Sequence, residues 1–270
     1  MNLIIYLILG IIQGFTEPLP ISSSGHIFLF KNIFNTNMFN DLNFEIVANF
    51  GSFLAILFIF RHEVIDLVTS FFKYIFNKKE RSKHKNKFRY CIYIIVSTIP
   101  VGIIGILLKD IIEEKLQNIT FLGFAFLFTA LMLFLIRNKK GTKNDTDITL
   151  KDAIIIGLIQ MITIMPGISR SGTVLVACLL CNLNRETALK YTFILYFPIS
   201  VATMALGVSD LIQAENISNL ILPYSLGLIA ALIVTYFTYR LLSEMVKKGK
   251  LWKFSIYCIC LAIFIFIYFR

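Results

Sequence analysis

"GIIQGFTEPLPISSSGH", residues 10–26, places a carboxylate, two prolines, three serines, a glycine and an imidazole between an apolar lead-in and the apolar run "IFLF". Neither flanking run reaches the ~20 residues that cross a hydrocarbon core. The pattern returns at 157–173 as "GLIQMITIMPGISRSGT". Laid over one another without a gap, eight of seventeen positions are identical: Gly10/Gly157, Ile12/Ile159, Gln13/Gln160, Thr16/Thr163, Ile21/Ile168, Ser22/Ser169, Ser24/Ser171 and Gly25/Gly172. Apolar composition accounts for matched isoleucines but not for the shared glutamine or the S-x-S-G ending. The two stretches read as copies of one duplicated unit.

Around them the chain is too apolar for a soluble domain. Hydrophobic residues fill 57% of 270 positions, against about 45–50% in soluble domains, and the mean hydropathy is +0.77. Candidate spans lie at 91–108, 119–136, 191–208, 219–239 and 252–269, with 45–61 somewhat shorter. The expectation is an all-α, polytopic integral membrane protein.

The formal charge of +10 is concentrated in particular segments. "KYIFNKKERSKHKNKFR", residues 73–89, dominates, which suits a cytoplasmic loop better than a nucleic-acid face. His62 and His84, in or beside this loop, are read as solvated. The five cysteines sit in apolar segments, and Cys178/Cys181 lack the second pair or histidine that a metal site needs. No basic n-region precedes residues 3–12, which argues against a cleaved signal peptide.

Three spans separate the two copies, and an odd number of crossings inverts the second relative to the first. With 62–90 inside, 137–152 and 240–250 also fall inside, and 31–44, 109–118 and 209–218 fall outside with at least as many acids as bases. This arrangement requires 1–34 and 153–190 to enter and leave on one side, as re-entrant helical hairpins. Residues 1–136 then form one repeat (hairpin 1–34; spans 45–61, 91–108, 119–136). Residues 153–270 form the inverted second (hairpin 153–190; spans 191–208, 219–239, 252–269). Inverted repeats with broken helices bring polar tips together near the midplane, where irregular backbone is tolerated only along a protein-walled cavity.

The tips differ where chemistry would. Glu17 aligns with Ile164, Ser23 with Arg170 and His26 with Thr173. An arginine at membrane depth is costly and by default functional; the structural alternative is an ion pair with Glu17. Its planar fork suits the oxygens of phosphate. Helices starting at the serines would aim free N–H groups at the same anion. Ser22, Ser24, Gly167, Ser169, Ser171 and Thr173 are therefore expected around a phosphate anion, although the serines also suit N-capping alone. Ser23 or His26 can serve as nucleophile, or His26 as acid–base partner. Glu17 can act as general base or, with Gln13, as ligand of a divalent cation; Gln13 alternatively only hydrogen-bonds the hairpin. The site reads as one for phosphoryl transfer.

At these residues the sequence resembles the undecaprenyl-diphosphate phosphatase (bacitracin-resistance) family of bacteria. Its Glu/Gln-rich motif reads Gln13-Gly14-Phe15-Thr16-Glu17, continuing into "PLPISSSGH". Its proline-glycine-x-serine-arginine-serine motif reads Pro166-Gly167-Ile168-Ser169-Arg170-Ser171. "FEIVANFGS", residues 44–52, resembles a further stretch, with Asn49 in place of glutamine. The family threonine lies three residues after the second serine; here that position is Val174, and Thr173 comes one earlier. The resemblance implies hydrolysis of C55 isoprenyl diphosphate to the monophosphate in the bacterial plasma membrane, an active site open to the outer face, and Mg²⁺ or Ca²⁺ as cofactor. Implied partners are the polyprenyl diphosphate lipid and the bilayer, not nucleic acid, with a homodimer allowed. The alternative class is a transporter or flippase of a phosphate-bearing lipid or solute, which needs the anion site but no nucleophile with a base.

Overall fold

The computed structural model describes residues 3–34, 42–115, 118–213 and 217–270, apart from the side chains at 42–43, 109–115, 206, 208–213 and 217–219. Eleven α-helices run through them: α1 (Leu3–Thr16), α2 (Ser23–Phe34), α3 (Leu42–Ile59), α4 (Arg61–Phe76), α5 (Arg81–Lys115), α6 (Ile119–Leu135), α7 (Leu150–Gln160), α8 (Arg170–Leu180), α9 (Arg185–Gln213), α10 (Ile217–Lys247) and α11 (Trp252–Tyr268). No strand occurs among the described residues, only a single bridge between Lys143 and Leu183. The protein is an all-α, polytopic membrane protein.

Helix length follows the apolar runs. At 1.5 Å per residue, the 17 residues of α6 and of α11 reach about 25 Å, and α5, α9 and α10 are longer. The arms α1, α2, α7 and α8, of 14, 12, 11 and 11 residues, reach only about 16–21 Å. None of these four crosses a ~30 Å hydrocarbon layer alone. Large aliphatic side chains such as Ile4, Ile106 and Ile267 lie exposed on the outer surface, where lipid takes the place of water.

Large apolar side chains fill the interior, and small residues and hydroxyls make the closest helix contacts, as expected where lipid removes the hydrophobic drive between helices. α1 and α3 pack on α10, α7 and α9 on α5, α6 on α11, and α3 on α9. Gly10 lies so near Gly227 that a Cβ would sit 2.3 Å from the Gly227 carbonyl oxygen; at Gly157 it would sit 2.8 Å from that of Ser97. The buried Ser97 hydroxyl donates to the Ala153 carbonyl at 2.8 Å and meets Tyr191 Oη at 2.8 Å, joining α5, α7 and α9. The buried Thr235 hydroxyl reaches Ser52 Oγ at 2.9 Å and the Gly14 carbonyl at 3.3 Å, joining α10, α3 and α1.

Several boundaries differ from the sequence expectation. The charged stretch 73–89 is helical: α4 turns back by 77° from α3 and pairs with the first turns of α5 through Lys87–Asp66 (2.6 Å) and stacked Tyr74 and Phe88. His84, expected to be solvated, is buried, with Nδ1 3.0 Å from Ser70 Oγ and Nε2 3.3 Å from Glu80 Oε2; amphipathic pairing of α4 and α5 covers it. His62 is exposed. The second helix pair spans 150–180, and α9 begins at Arg185 because Asn184 accepts from the Thr187 N–H (2.9 Å) and so starts a new helix. Within the connections expected at 31–44, 109–118 and 209–218, residues 35–41, 116–117 and 214–216 lie outside the described residues, as do residues 1–2 of the first hairpin.

The three basic segments meet at one end. Arg89 donates to the Thr146 carbonyl (3.0 Å), Lys190 pairs with Asp145 (2.5 Å), and Arg185 reaches the carbonyls of Lys139 and Lys247 (3.3 Å each). At the start of α7, burial alone would push the Asp152 carboxyl up. The Lys143 ammonium, with the Thr149 N–H and hydroxyl, outweighs it and holds the carboxyl below the usual carboxylate range.

Candidate active site

The two tips are built alike. α2 starts at Ser23 and α8 at Arg170, aligned positions of the two copies. Ser22 Oγ accepts the Gly25 N–H at 3.2 Å, and Ser169 Oγ accepts the Gly172 N–H at 3.1 Å. Each capping serine also contacts the serine two residues on, Ser24 at 3.4 Å and Ser171 at 3.3 Å. The S-x-S-G ending is therefore an N-cap with a second hydroxyl beside it. The chain reverses at Ser22 (φ 68°) in one tip and at Gly167 (φ 85°) in the other. Ser171 Oγ donates to the Leu19 carbonyl at 3.1 Å and ties tip to tip.

Between the tips, Arg170 Nη2 lies 2.7 Å from Glu17 Oε1. The other carboxylate oxygen accepts the Ser23 hydroxyl and the Gln13 amide, the latter at 3.2 Å. Gln13 also donates to Asn49 Oδ1 at 3.5 Å, which accepts the Tyr196 hydroxyl at 3.3 Å. The Arg170 guanidinium lies over the Tyr196 ring, 4.6 Å from its centroid, a cation–π contact that fixes the plane of the fork. Glu17, Ser22, Ser23, Ser24, Asn49, Ser169, Arg170 and Ser171 wall a polar cavity of about 180 Å³. The residues that open α2 and α8 line it, so two positive helix ends converge on one volume.

Three expected residues are placed elsewhere. His26 Nδ1 lies 2.6 Å from the Ser22 carbonyl, which can only accept, so Nδ1 carries the proton and Nε2 accepts the Tyr257 hydroxyl at 2.7 Å. The ring stacks on Tyr257, with 5.7 Å between centroids, and is not among the cavity walls. A three-residue step on a helix leaves roughly 60° between side chains; Ser23 bends toward Glu17 while Tyr257 draws the imidazole away. Thr173 is buried in α8 and borders no part of the cavity. Gly167 borders a neighbouring cavity of about 100 Å³, which shares Ser24 and reaches Lys31, Glu45 and Asn118.

The sequence reading passed over Tyr196, within the uniform apolar run "YTFILYF", and gave Asn49 no role. It paired Gln160 with Gln13 but went no further. Gln160 is fully buried, with neither amide atom partnered, and faces a pocket of about 20 Å³ with Glu17 and Arg170. That is room for one water.

Fold and site together define a class: a polytopic helical membrane protein with a polar cavity between two helix tips, in which a carboxylate and a hydroxyl face a guanidinium. The family described as bacitracin resistance protein BacA matches residues 6–264. The chain is 41% identical over 263 residues to Undecaprenyl-diphosphatase 2 of Bacillus thuringiensis (strain Al Hakam), covering 97% of this chain and 96% of that one. It is 40% identical to Undecaprenyl-diphosphatase 1 of Bacillus licheniformis, covering 98% of each, and 37% identical to Undecaprenyl-diphosphatase of Oceanobacillus iheyensis, covering 97% and 95%. The protein belongs to the BacA bacitracin-resistance family.

Proposed function

We propose that this chain hydrolyses undecaprenyl diphosphate to undecaprenyl phosphate and inorganic phosphate, returning the lipid carrier to cell-wall synthesis and protecting the cell against bacitracin. The observation that carries the reading is Glu17 held between Arg170 of one tip and Ser23 of the other at two converging helix N-termini. The ion pair is the resting state. An incoming diphosphate takes the Arg170 fork, and the N–H groups opening α2 and α8 bind its remaining oxygens.

Glu17, freed from arginine, accepts the Ser23 proton. Ser23 Oγ attacks the terminal phosphorus, the anhydride P–O bond breaks, and the lipid monophosphate departs. Water then attacks the phosphoserine, the Ser–O–P bond breaks, Ser23 recovers its proton from Glu17, and inorganic phosphate leaves carrying both protons of the water. The Gln160 amide faces the pocket of about 20 Å³ beside Glu17 and would orient that water. His26 is a positioning residue that pins the start of α2 through Ser22 and Tyr257. Transport alone would leave the Ser23–Glu17 contact without a task.

Among the described residues no three His, Cys, Asp or Glu cluster as a metal cage. The donors at the site are one carboxylate, an amide and hydroxyls. This all-oxygen set fits Mg²⁺ or Ca²⁺ completed by substrate phosphates. Glu17 with Gln13 would hold the ion, which supplies charge neutralisation of the diphosphate.

The tips belong to two inverted repeats, 1–136 and 153–270, with re-entrant arms 1–34 and 153–190. The reading is supported by Gly10 and Gly157 each packing against a long helix of the other half, and by the matched caps. With the basic end in the cytoplasm, the cavity sharing Ser24 runs toward Lys31 and Asn118 at the opposite end, giving an outward opening in the plasma membrane. The test is phosphate release from C55 diphosphate by purified protein with and without EDTA. Turnover is expected with Mg²⁺ or Ca²⁺, and loss of it in EDTA. No turnover under either condition would remove the hydrolase assignment. A trapped phosphoenzyme should carry label on Ser23; absence of label would make water the direct nucleophile.

A further inference from the structure

At the basic end, away from the tips, a cavity of about 330 Å³ lies between α4, α5, α9 and residues 145–146, within the size range of small-molecule sites. Its walls carry the ammonium groups of Lys83, Lys87 and Lys190 and the carboxylates of Glu63, Asp66 and Asp145. Lys87 pairs with Asp66 at 2.6 Å and Lys190 with Asp145 at 2.5 Å. Lys83 and Glu63 form no ion pair among the described residues, leaving one cation and one anion on the wall for a ligand. Two further atoms there are buried without a hydrogen-bond partner: the Tyr90 hydroxyl and Asp145 Oδ1. Tyr90 is itself only 6% exposed. The first needs an acceptor and the second a donor.

The cavity shares Leu67 with an almost wholly apolar groove of about 260 Å³, walled by Val64, Val68, Phe72, Ile94, Ile95 and Phe197. Val68, Phe72 and Ile95 are about half exposed. A polar pocket of balanced charge that runs into an apolar groove matches an amphiphile rather than a soluble zwitterion. We propose that this face binds a phospholipid whose headgroup joins a phosphodiester to a primary ammonium, with an acyl chain in the groove. The phosphodiester faces Lys83 and accepts the Tyr90 hydroxyl. The ammonium faces Glu63 and donates to Asp145 Oδ1. A choline headgroup has no N–H for Asp145, and a phosphoglycerol headgroup has no cation for Glu63.

Native mass spectrometry of the full-length protein in detergent, titrated with phosphatidylethanolamine, phosphatidylcholine or phosphatidylglycerol, tests this. The ethanolamine lipid should be retained at concentrations several-fold lower than either of the others. Lys83→Ala and Glu63→Gln, both on accessible wall positions, should each lower that retention at least fivefold, and Val68→Trp should do so by filling the groove. Tyr90→Phe is a fourth variant that leaves surface charge untouched. Phosphate release in detergent should not change in Lys83→Ala or Glu63→Gln. Equal retention of the three lipids by the wild-type protein would overturn the proposal. So would unchanged retention in the charge variants, or phosphoethanolamine without acyl chains binding as tightly as the lipid.

Discussion

Arg170 and Glu17 are the residues on which the proposed chemistry turns, and each meets the other across 153 positions of sequence. Arg170→Ala should lower phosphate release by about 10²–10³-fold, the loss typical of a missing transition-state donor. Arg170→Lys should recover little, because a point ammonium cannot replace a fork stacked on Tyr196. Breaking this part-buried pair also destabilises, by less than the ~3–5 kcal/mol of a fully buried one, so the melting temperature must be measured beside the rate. A variant with wild-type rate would remove Arg170 from the site. His26 makes a contrasting case. Tyr257→Phe leaves the imidazole Nε2 without its donor, a loss of ~1–3 kcal/mol that should appear as a lower Tm with a smaller rate effect than Ser23→Ala. His26→Ala matching Ser23→Ala in rate at unchanged Tm would return the imidazole to the chemistry. Glu17, Ser23 and Arg170 were legible because each is a polar anomaly in apolar sequence. Tyr196 was not, since an aromatic in an aromatic-rich helix carries no signal until its hydroxyl is seen on Asn49.

At the level of elements, the short arms hold position through glycine contacts and serine caps. Gly10→Ala and Gly157→Ala each force a Cβ onto a facing backbone, where no flexible side chain can yield. Each should destabilise by about 1–3 kcal/mol, as overpacking does, read as Tm of the detergent-solubilised protein. An unchanged Tm in both would show that the helices separate freely. Ser169→Ala removes the cap of α8, worth about 1 kcal/mol, and a hydroxyl beside Arg170, so both Tm and turnover should fall. The helix starts at the serines were foreseen from the paired motif. The helical form of 73–89 was not, because its charge suggested a loop, whereas pairing with α4 gives it a partner face.

For the whole molecule, the decisive measurement is sidedness. On a background without the five native thiols, single cysteines at positions 82 and 248 should be labelled only from the cytoplasm, and one at 32 only from outside. Outside labelling at 82 would reverse the orientation and close the route past Ser24 to the outer face. The contacts of Arg89, Lys190 and Arg185 draw the basic segments into one cluster, so positions 82 and 248 report on a shared end and position 32 on the other.

Composition and spacing alone determined that this chain is helical and lives in a bilayer, because apolar run length is a local quantity measured against a fixed thickness of hydrocarbon. The doubled motif likewise named the two polar turns. Which side chains point into a common volume depended on helix crossings and on partners distant in sequence. Tyr257 drew His26 aside, Tyr196 and Asn49 braced the Arg170–Glu17 pair, and the burial of His84 followed from one helix lying on another. Side-chain direction is set by such long-range contacts, and only the folded molecule contains them.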